Sequence, residues 1–354
     1  MTLYSQTVLD VPVEGPFDYS IPDCLASFAK PGCRVRINFS NKKRVGYIVG
    51  VSSKTRVRTV KPLIDVIDRQ GPLLSENFLE LTKRISGYYC CSWGAAIEIG
   101  LPGALRKGRP VDVRVPAAEP SAPKAAGLLR LLHDLENNGR MRVYEERAAY
   151  YLERGESVII LVADRHAAER MFTMLQARFT GRVCVLTRED KDEIRQWMYA
   201  AATHPVIVIG TRSAVFAPVQ RLGCVIMDDE HDYGYKQDQS PHYHCRTVAM
   251  MRCAIEKSDF IAASCAPSLE LMHAAEQGAF EIETIPRSRP YPAIKLVDMK
   301  KLPVVSKRQK ITVSGYLQNA VFSAAASGEK VLIFFNRKGY ATLAICSHCG
   351  HTFQ

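Results

Sequence analysis

The runs SVIILVA, VCVLT, VIVIGT, CVIMDDE and DFIAASCA, all between residues 157 and 266, constrain this chain more than any other feature. Each is a short, continuous apolar stretch. Between them lie HAAERMFTMLQARF, KDEIRQWMYAAA and YHCRTVAMMRCAIE, whose apolar residues recur at helical spacing. Strands that are apolar on both sides, alternating with amphipathic helices, predict a parallel sheet covered on both faces. Such a sheet binds its ligands at the carboxyl ends of its strands.

The first hundred residues have a different texture. TVLDVPV, CRVRINF and RVGYIVGV are β-branched runs broken by Pro, Gly and Asn, and SENFLELTKRISGYYC closes them with helical spacing. VPAAEPSAPKAAG then shows neither period and reads as a linker. After IPRSRPYPAI a further unit begins, with a helix expected around Val313 to Ala326 and a strand at KVLIFFN. The expected organisation is a β-rich domain over 1–108, a linker over 109–125, a parallel-sheet lobe over 126–290, and the start of another lobe over 291–354.

Charge and cysteine usage narrow the function class. Lys and Arg number 47 against 36 Asp and Glu, a net +11, and the clusters KKRVG, KTRVR and LRKGRP all fall in the first third. A basic surface of this kind is either a solvated face or a phosphate-tracking one. The 11 cysteines are scattered and odd in number, which reads as reduced thiols in a cytoplasmic protein. No apolar run reaches transmembrane length, so no membrane partner is expected.

The chemistry concentrates at CVIMDDEH, Cys224 to His231. An apolar strand ending in consecutive carboxylates can present Asp228 to magnesium and Asp229 as a base toward water. The same residues also suit an ordinary strand end. Tyr233, Tyr235 and Tyr243 with Lys236 can stack on bases and meet phosphate, or pack beneath a loop.

Taken together, GTRSA (Gly210–Ala214), DDEH, SCAPSLE (Ser264–Glu270), NRKGY and CSHCG resemble, in order and spacing, the replication-restart helicases of the PriA (primosomal protein N′) family. The resemblance implies a RecA-like helicase lobe. Within it, Thr211 and Arg212 would contact DNA, Asp228, Asp229, Glu230 and His231 would be catalytic, and Tyr233, Tyr235 and Lys236 would form an aromatic-rich DNA sensor. GPFDYSIP, PGCRVRINF, Lys61 and SGYYC resemble the family's domain for the 3′ end of a nascent strand. Phe17, Asp18, Tyr19 and Lys61 would line that pocket, which Ser40, standing where the family has Gly, would narrow.

The phosphate loop departs from the family. Where GxxxxGK[ST] should cradle phosphate, this chain has DLENNGRM: Gly139 is kept, Arg140 replaces the lysine, and Met141 replaces the hydroxyl. Asp134 and Glu136 stand where small residues should be. Methionine cannot ligate magnesium, and arginine lacks the lysine's compact reach. That counts against ATP and Mg²⁺ as cofactors. Cys346 and Cys349 resemble half of the family's zinc motif, and zinc is expected only if a longer form supplies more cysteines. The expected partners are forked DNA with its 3′ end and, by resemblance, other primosome proteins and single-strand-binding protein. The expected function is a DNA-binding restart factor with impaired ATPase activity. An active ATP-dependent 3′–5′ helicase and a degenerate remnant are the alternatives.

Overall fold

The computed structural model describes residues 2–111, 127–188, 192–299 and 313–334, and the short strands Ala344–Ile345 and Thr352–Phe353. Most of the expected linker, the run KGY at 338–340, Cys346 and Cys349 lie outside these residues. The chain divides into a unit over Met1–Ser288 and a second over Arg289–Gln354.

The first unit opens with an antiparallel sheet. Strands β1 (Leu3–Val8), β2 (Phe17–Ile21), β3 (Arg34–Phe39), β4 (Lys42–Ser52) and β5 (Asp65–Val66) are ordered β2-β1-β4-β3-β5. Phe39 pairs with Lys42, so Ser40 and Asn41 form a two-residue hairpin loop. Both have left-handed backbone, φ 49° and 59°, the signature of a primed turn, in which Asn is at ease and Ser is strained. The sheet encloses a core of Val35, Ile37, Ile48 and Val66, all fully buried.

Helix α1 (Glu76–Tyr89) begins where the Ser75 hydroxyl accepts a hydrogen bond from the Phe78 amide, and ends at Cys90 in left-handed conformation. Its apolar stripe, Leu79, Leu81 and Ile85, is buried. Helices α2 (Trp93–Ile99) and α3 (Gly103–Arg106) follow. At Gly94 a Cβ would come within 2.0 Å of the Leu9 carbonyl oxygen, so only glycine lets α2 lie against the end of β1.

The second sheet uses every apolar run singled out above. Strands β6 (Leu129–Asp134), β7 (Ser157–Leu161), β8 (Val183–Leu186), β9 (Ile207–Gly210), β10 (Leu222–Met227), β11 (Asp259–Ser264) and β12 (Glu281–Ile285) are ordered β12-β6-β11-β10-β7-β9-β8, with every pairing parallel. Helices α4 (Arg140–Glu153), α5 (Arg165–Arg178), α6 (Glu193–Ala202), α7 (Cys245–Glu256) and α8 (Leu269–Glu276) join them. β6 and β12 were not expected from the sequence. LRLLHD carries three polar residues and EIETI only two apolar ones, so neither shows the continuous apolar run of its neighbours.

The two sheets share packing through α1 and α7. Phe78 meets Phe216 edge-on at 6.4 Å between ring centroids, and the Tyr89 hydroxyl accepts from the His244 amide at 3.0 Å. The fold class is therefore an antiparallel N-terminal sheet followed by a parallel α/β lobe.

In the second unit, α9 (Gly315–Ala326) is capped by the Ser314 hydroxyl, which accepts from the Leu317 amide at 3.1 Å. None of its residues is buried. β13 (Ala344–Ile345) and β14 (Thr352–Phe353) pair antiparallel. Residues 331–334, expected to begin a strand, are not in one.

Candidate functional site

The carboxyl end of β6 runs into the loop DLENNG and then into α4, which is the geometry of a phosphate cradle. The cradle's amides are already taken. One Asp134 carboxylate oxygen accepts from the Gly139 amide at 2.8 Å and the Arg140 amide at 3.0 Å, and the other accepts from Glu136 at 3.3 Å. Asp134 is fully buried. Free amides at a helix start are what a phosphate binds, and here the chain's own carboxylate occupies them.

Arg140 completes the closure. Its terminal nitrogens donate to both carboxylate oxygens of Asp229, at 2.7 and 2.9 Å, while Nε lies 3.0 Å from Asp228. A planar guanidinium on a carboxylate fork is the strongest common form of ion pair. Burial works against the charge of Arg140, but the Asp229 hydrogen bonds and the Asp228 charge outweigh it and hold its pKa above the ordinary value. Burial pushes Asp228 upward among carboxylates, opposed by the Arg140 charge and by a 2.7 Å hydrogen bond from the Tyr144 hydroxyl. Met141 packs against the apolar core. These residues do not fit ATP with magnesium: amides, acids and cation are each already partnered.

Sequence reasoning brought Gly139, Arg140, Asp228 and Asp229 into one site, and the structure places them together. It did not single out Tyr144, one helical turn beyond Arg140, because a tyrosine at that spacing reads as core. Asp134 was recognised only as an obstruction; its role as an acceptor needed the loop's conformation.

The remaining motif residues are bonded within the chain in separate groups. The Glu230 carboxylate, 1% exposed, accepts from the Ser268 amide at 2.6 Å and meets Arg246 at 2.6 Å. His231 Nδ1 lies 2.7 Å from the Ser264 hydroxyl. Thr211 precedes the 3₁₀ turn Arg212–Phe216, and Arg212 donates to the Gln237 side chain at 2.7 Å and the Gly234 carbonyl at 3.1 Å. The tyrosines divide between the two readings of the sequence. Tyr233 is 87% exposed, whereas Tyr235 is fully buried and its hydroxyl donates to the Leu161 carbonyl at 2.9 Å and the Asp228 carbonyl at 2.5 Å. Tyr243 is buried too, edge-on to Phe216. Lys236 is exposed and donates to the His242 carbonyl.

His244 caps α7: its Nδ1 accepts from the Arg246 amide at 3.2 Å, which requires a neutral ring. Burial, then the charges of Arg246 and Lys236, lower its pKa from 6.5, against a weaker pull from Glu230 and Glu270. A depressed histidine contributes stability that is present above its unfolded pKa and is lost as pH falls through the folded value. Urea unfolding between about pH 7.5 and 5 should therefore show the wild type losing stability faster than His244→Asn, whose amide can cap without titrating. Parallel pH curves for the two proteins would refute the assignment.

In the N-terminal sheet, Phe17 packs edge-on to Phe39 at 5.1 Å. Tyr19 is 4% exposed and donates to the Asn38 carbonyl at 3.3 Å. Asp18, on the opposite face of β2, accepts from the Thr55 hydroxyl at 2.5 Å. Exposed Lys61 is brought alongside by its carbonyl, which accepts from the Ser20 amide at 3.0 Å. Phe17 and Asp18 thus lie on opposite faces of the edge strand β2, Lys61 runs alongside that strand, and Tyr19 is in the core. A cavity of about 270 Å³ lies elsewhere, lined by Phe78, Trp197, Phe216 and Arg252 among others, and includes none of the carboxylates above.

Residues 6–102 match the family described as the 3′DNA-binding domain (3′BD) of PriA. The wider chain is 28% identical over 382 residues to the replication restart protein PriA of Treponema pallidum (strain Nichols), an alignment covering 99% of this chain and 57% of that one. Along nearly its whole length, then, the chain is similar to PriA replication restart proteins. The PriA of Rickettsia felis is 27% identical over 96% of this chain and 54% of its own length. That of Synechocystis is 32% identical over 63% of this chain and 28% of its own. The chain spans little more than half the length of the first two of these relatives. Among solved structures, the UvsW helicase from Bacteriophage T4 aligns at 18% identity over 44% of this chain and 54% of its own, with a TM-score of 0.32, too distant to carry an argument. Among the described residues no group of His, Cys, Asp and Glu could hold a metal, and no helix is long and apolar enough to cross a membrane.

Proposed function

We propose that this PriA-like chain binds forked DNA through the 3′ end of a nascent strand and does so without turning over ATP. The observation that carries the reading is a matched 3′ DNA-binding domain, with Phe17 and Asp18 on edge strand β2 and Lys61 alongside it, in the same compact unit as a phosphate loop closed by Asp134 and Arg140. An aromatic ring can stack on a terminal base, a carboxylate can accept its hydrogen bonds, and a lysine can meet its phosphate. Thr211, Arg212, Tyr233 and Lys236 supply a second contact to unpaired strand, held in place by buried Tyr235. By the resemblance read in the sequence, its partners are other primosome proteins and single-strand-binding protein, and its setting is cytoplasmic. Zinc at Cys346 and Cys349 belongs to this reading only with further ligands from a longer form.

Fluorescence anisotropy with fork DNA tests it. A fork with a 3′ hydroxyl at the branch should bind more tightly than plain duplex, and Phe17→Ala should weaken that binding by about tenfold, the value of one lost base stack. Equal affinity for fork and duplex would remove the reading. The competing reading, an active helicase, draws on the connected Glu230, Ser268 and Arg246 network, and DNA-stimulated phosphate release abolished by Asp228→Asn would establish it.

A further inference from the structure

The Gly139 and Arg140 amides, the Asp228 and Asp229 carboxylates and the Arg140 guanidinium are engaged by residues of the chain itself. Asp134 gives one oxygen to two amides at the start of α4 and the other to Glu136. Arg140 pairs with Asp228, the acid that would hold magnesium, and with Asp229, the acid that would act as base toward water, and Tyr144 takes a further lone pair of Asp228. The loop between them is fixed from β12: the Leu135 amide donates to the Ile285 carbonyl at 3.2 Å, and Arg287 donates to the Leu135 carbonyl at 3.1 Å. An arriving phosphate would have to displace a carboxylate tethered one loop away, whose effective concentration far exceeds that of any free ligand.

From this closed site the contacts run on to the loop proposed to face DNA. Tyr235 joins the Asp228 carbonyl to the aromatic loop, whose Gly234 carbonyl and Gln237 hold Arg212 of GTRSA. Glu230 joins the same strand end to Ser268 and Arg246. In a nucleotide-driven switch such segments change arrangement as phosphate arrives and leaves. Here the group in the phosphate position is covalently part of the chain.

We propose that Asp134 and Arg140 are a permanent internal substitute for bound nucleotide, holding the GTRSA, DDEH and SCAPS segments in one arrangement, so that DNA binding is independent of ATP. The independence rests on the DNA-binding reading above; the closure of the site does not. A ligand that does not distinguish two states shifts nothing between them, and here there is no second state for ATP to select.

The test uses the full chain in two measurements. In the first, N-methylanthraniloyl-ATP with Mg²⁺ is titrated without DNA. The wild type should show no saturable binding up to about 1 mM, whereas Asp134→Gly/Arg140→Lys/Met141→Thr, which restores the cradle, should bind at least about tenfold more tightly than that limit. In the second, fork DNA is titrated with and without a non-hydrolysable ATP analogue. Wild-type curves should superimpose and those of the variant separate by about threefold or more. Saturable wild-type binding, or a folded triple variant that gains none, overturns the closure. Asp134→Gly alone, checked by circular dichroism, takes the variant's place if the triple substitution does not fold. A nucleotide-dependent shift in the wild-type DNA curve overturns the independence. Wild type that binds no DNA removes the function proposed above, while the first titration still decides the closure.

Discussion

Asp68→Ala is expected to lower the stability of the N-terminal sheet by about 3–5 kcal/mol, enough to unfold a marginal domain. Arg34 is fully buried on β3, and its guanidinium meets Asp68 in a fork, with Nη2 to one oxygen at 2.7 Å and Nε to the other at 3.0 Å. Asp68 also accepts from the Arg34 backbone amide at 2.8 Å. Removing the carboxylate strands a buried cation, and the remaining bonds from Nη1 to the Leu105 and Arg109 carbonyls cannot neutralise it. Those two bonds also tie β3 to the region of α3, so the loss should loosen the join between sheet and helices. Urea unfolding followed by fluorescence reads the effect, and a change below about 1 kcal/mol, the level of an exposed ion pair, would show the pair to be dispensable.

The second large effect is expected at Glu230. Glu230→Ala leaves Arg246 without its carboxylate and the α8 start without an acceptor for the Ser268 amide, and should cost about 3 kcal/mol. Glu230→Gln keeps an acceptor for Ser268 and should lose less. Because Glu230 links the DDEH strand end to the segment opening α8, the alanine variant should also weaken fork binding beyond its loss of stability. Unfolding curves beside anisotropy under native conditions separate the two. Full-strength fork binding by a folded alanine variant would show that the link does not reach the loops proposed to face DNA.

How much was legible follows from what each element depends on. The parallel sheet was readable because β7, β9, β10 and β11 sit between helices and carry apolar residues on both faces, a pattern few other folds tolerate. β6 and β12 escaped because β12 is an edge strand with one exposed face and β6 ends in His133 and Asp134. The grouping of Gly139, Arg140, Asp228 and Asp229 was legible from motif order, since strand ends of a parallel sheet converge.

The fates of the tyrosines were not legible. Tyr233 and Tyr235 are two residues apart in one short loop, yet one is exposed and the other fully buried under hydrogen bonds to Leu161 and Asp228. Composition cannot distinguish them, because the difference lies in which ring finds a buried carbonyl. The left-handed turn at Ser40 and Asn41 is a similar case: the sequence marked Ser40 only by its departure from Gly, and the positive φ of both residues follows from the pairing of Phe39 with Lys42.

The closed phosphate loop divides along the same line. By itself the sequence determined the loss of lysine and hydroxyl from that loop, because Arg140 and Met141 occupy those positions whatever the fold does. Only the tertiary structure decided what fills the space. Asp134, at the end of β6, reaches the amides of α4 because the loop turns back on itself, and Arg140 reaches Asp228 and Asp229 because β10 and β6 lie on either side of β11. Hydrogen bonds and ion pairs act over about 3 Å, and residues 89 positions apart in the chain meet at that distance only once the sheet has formed.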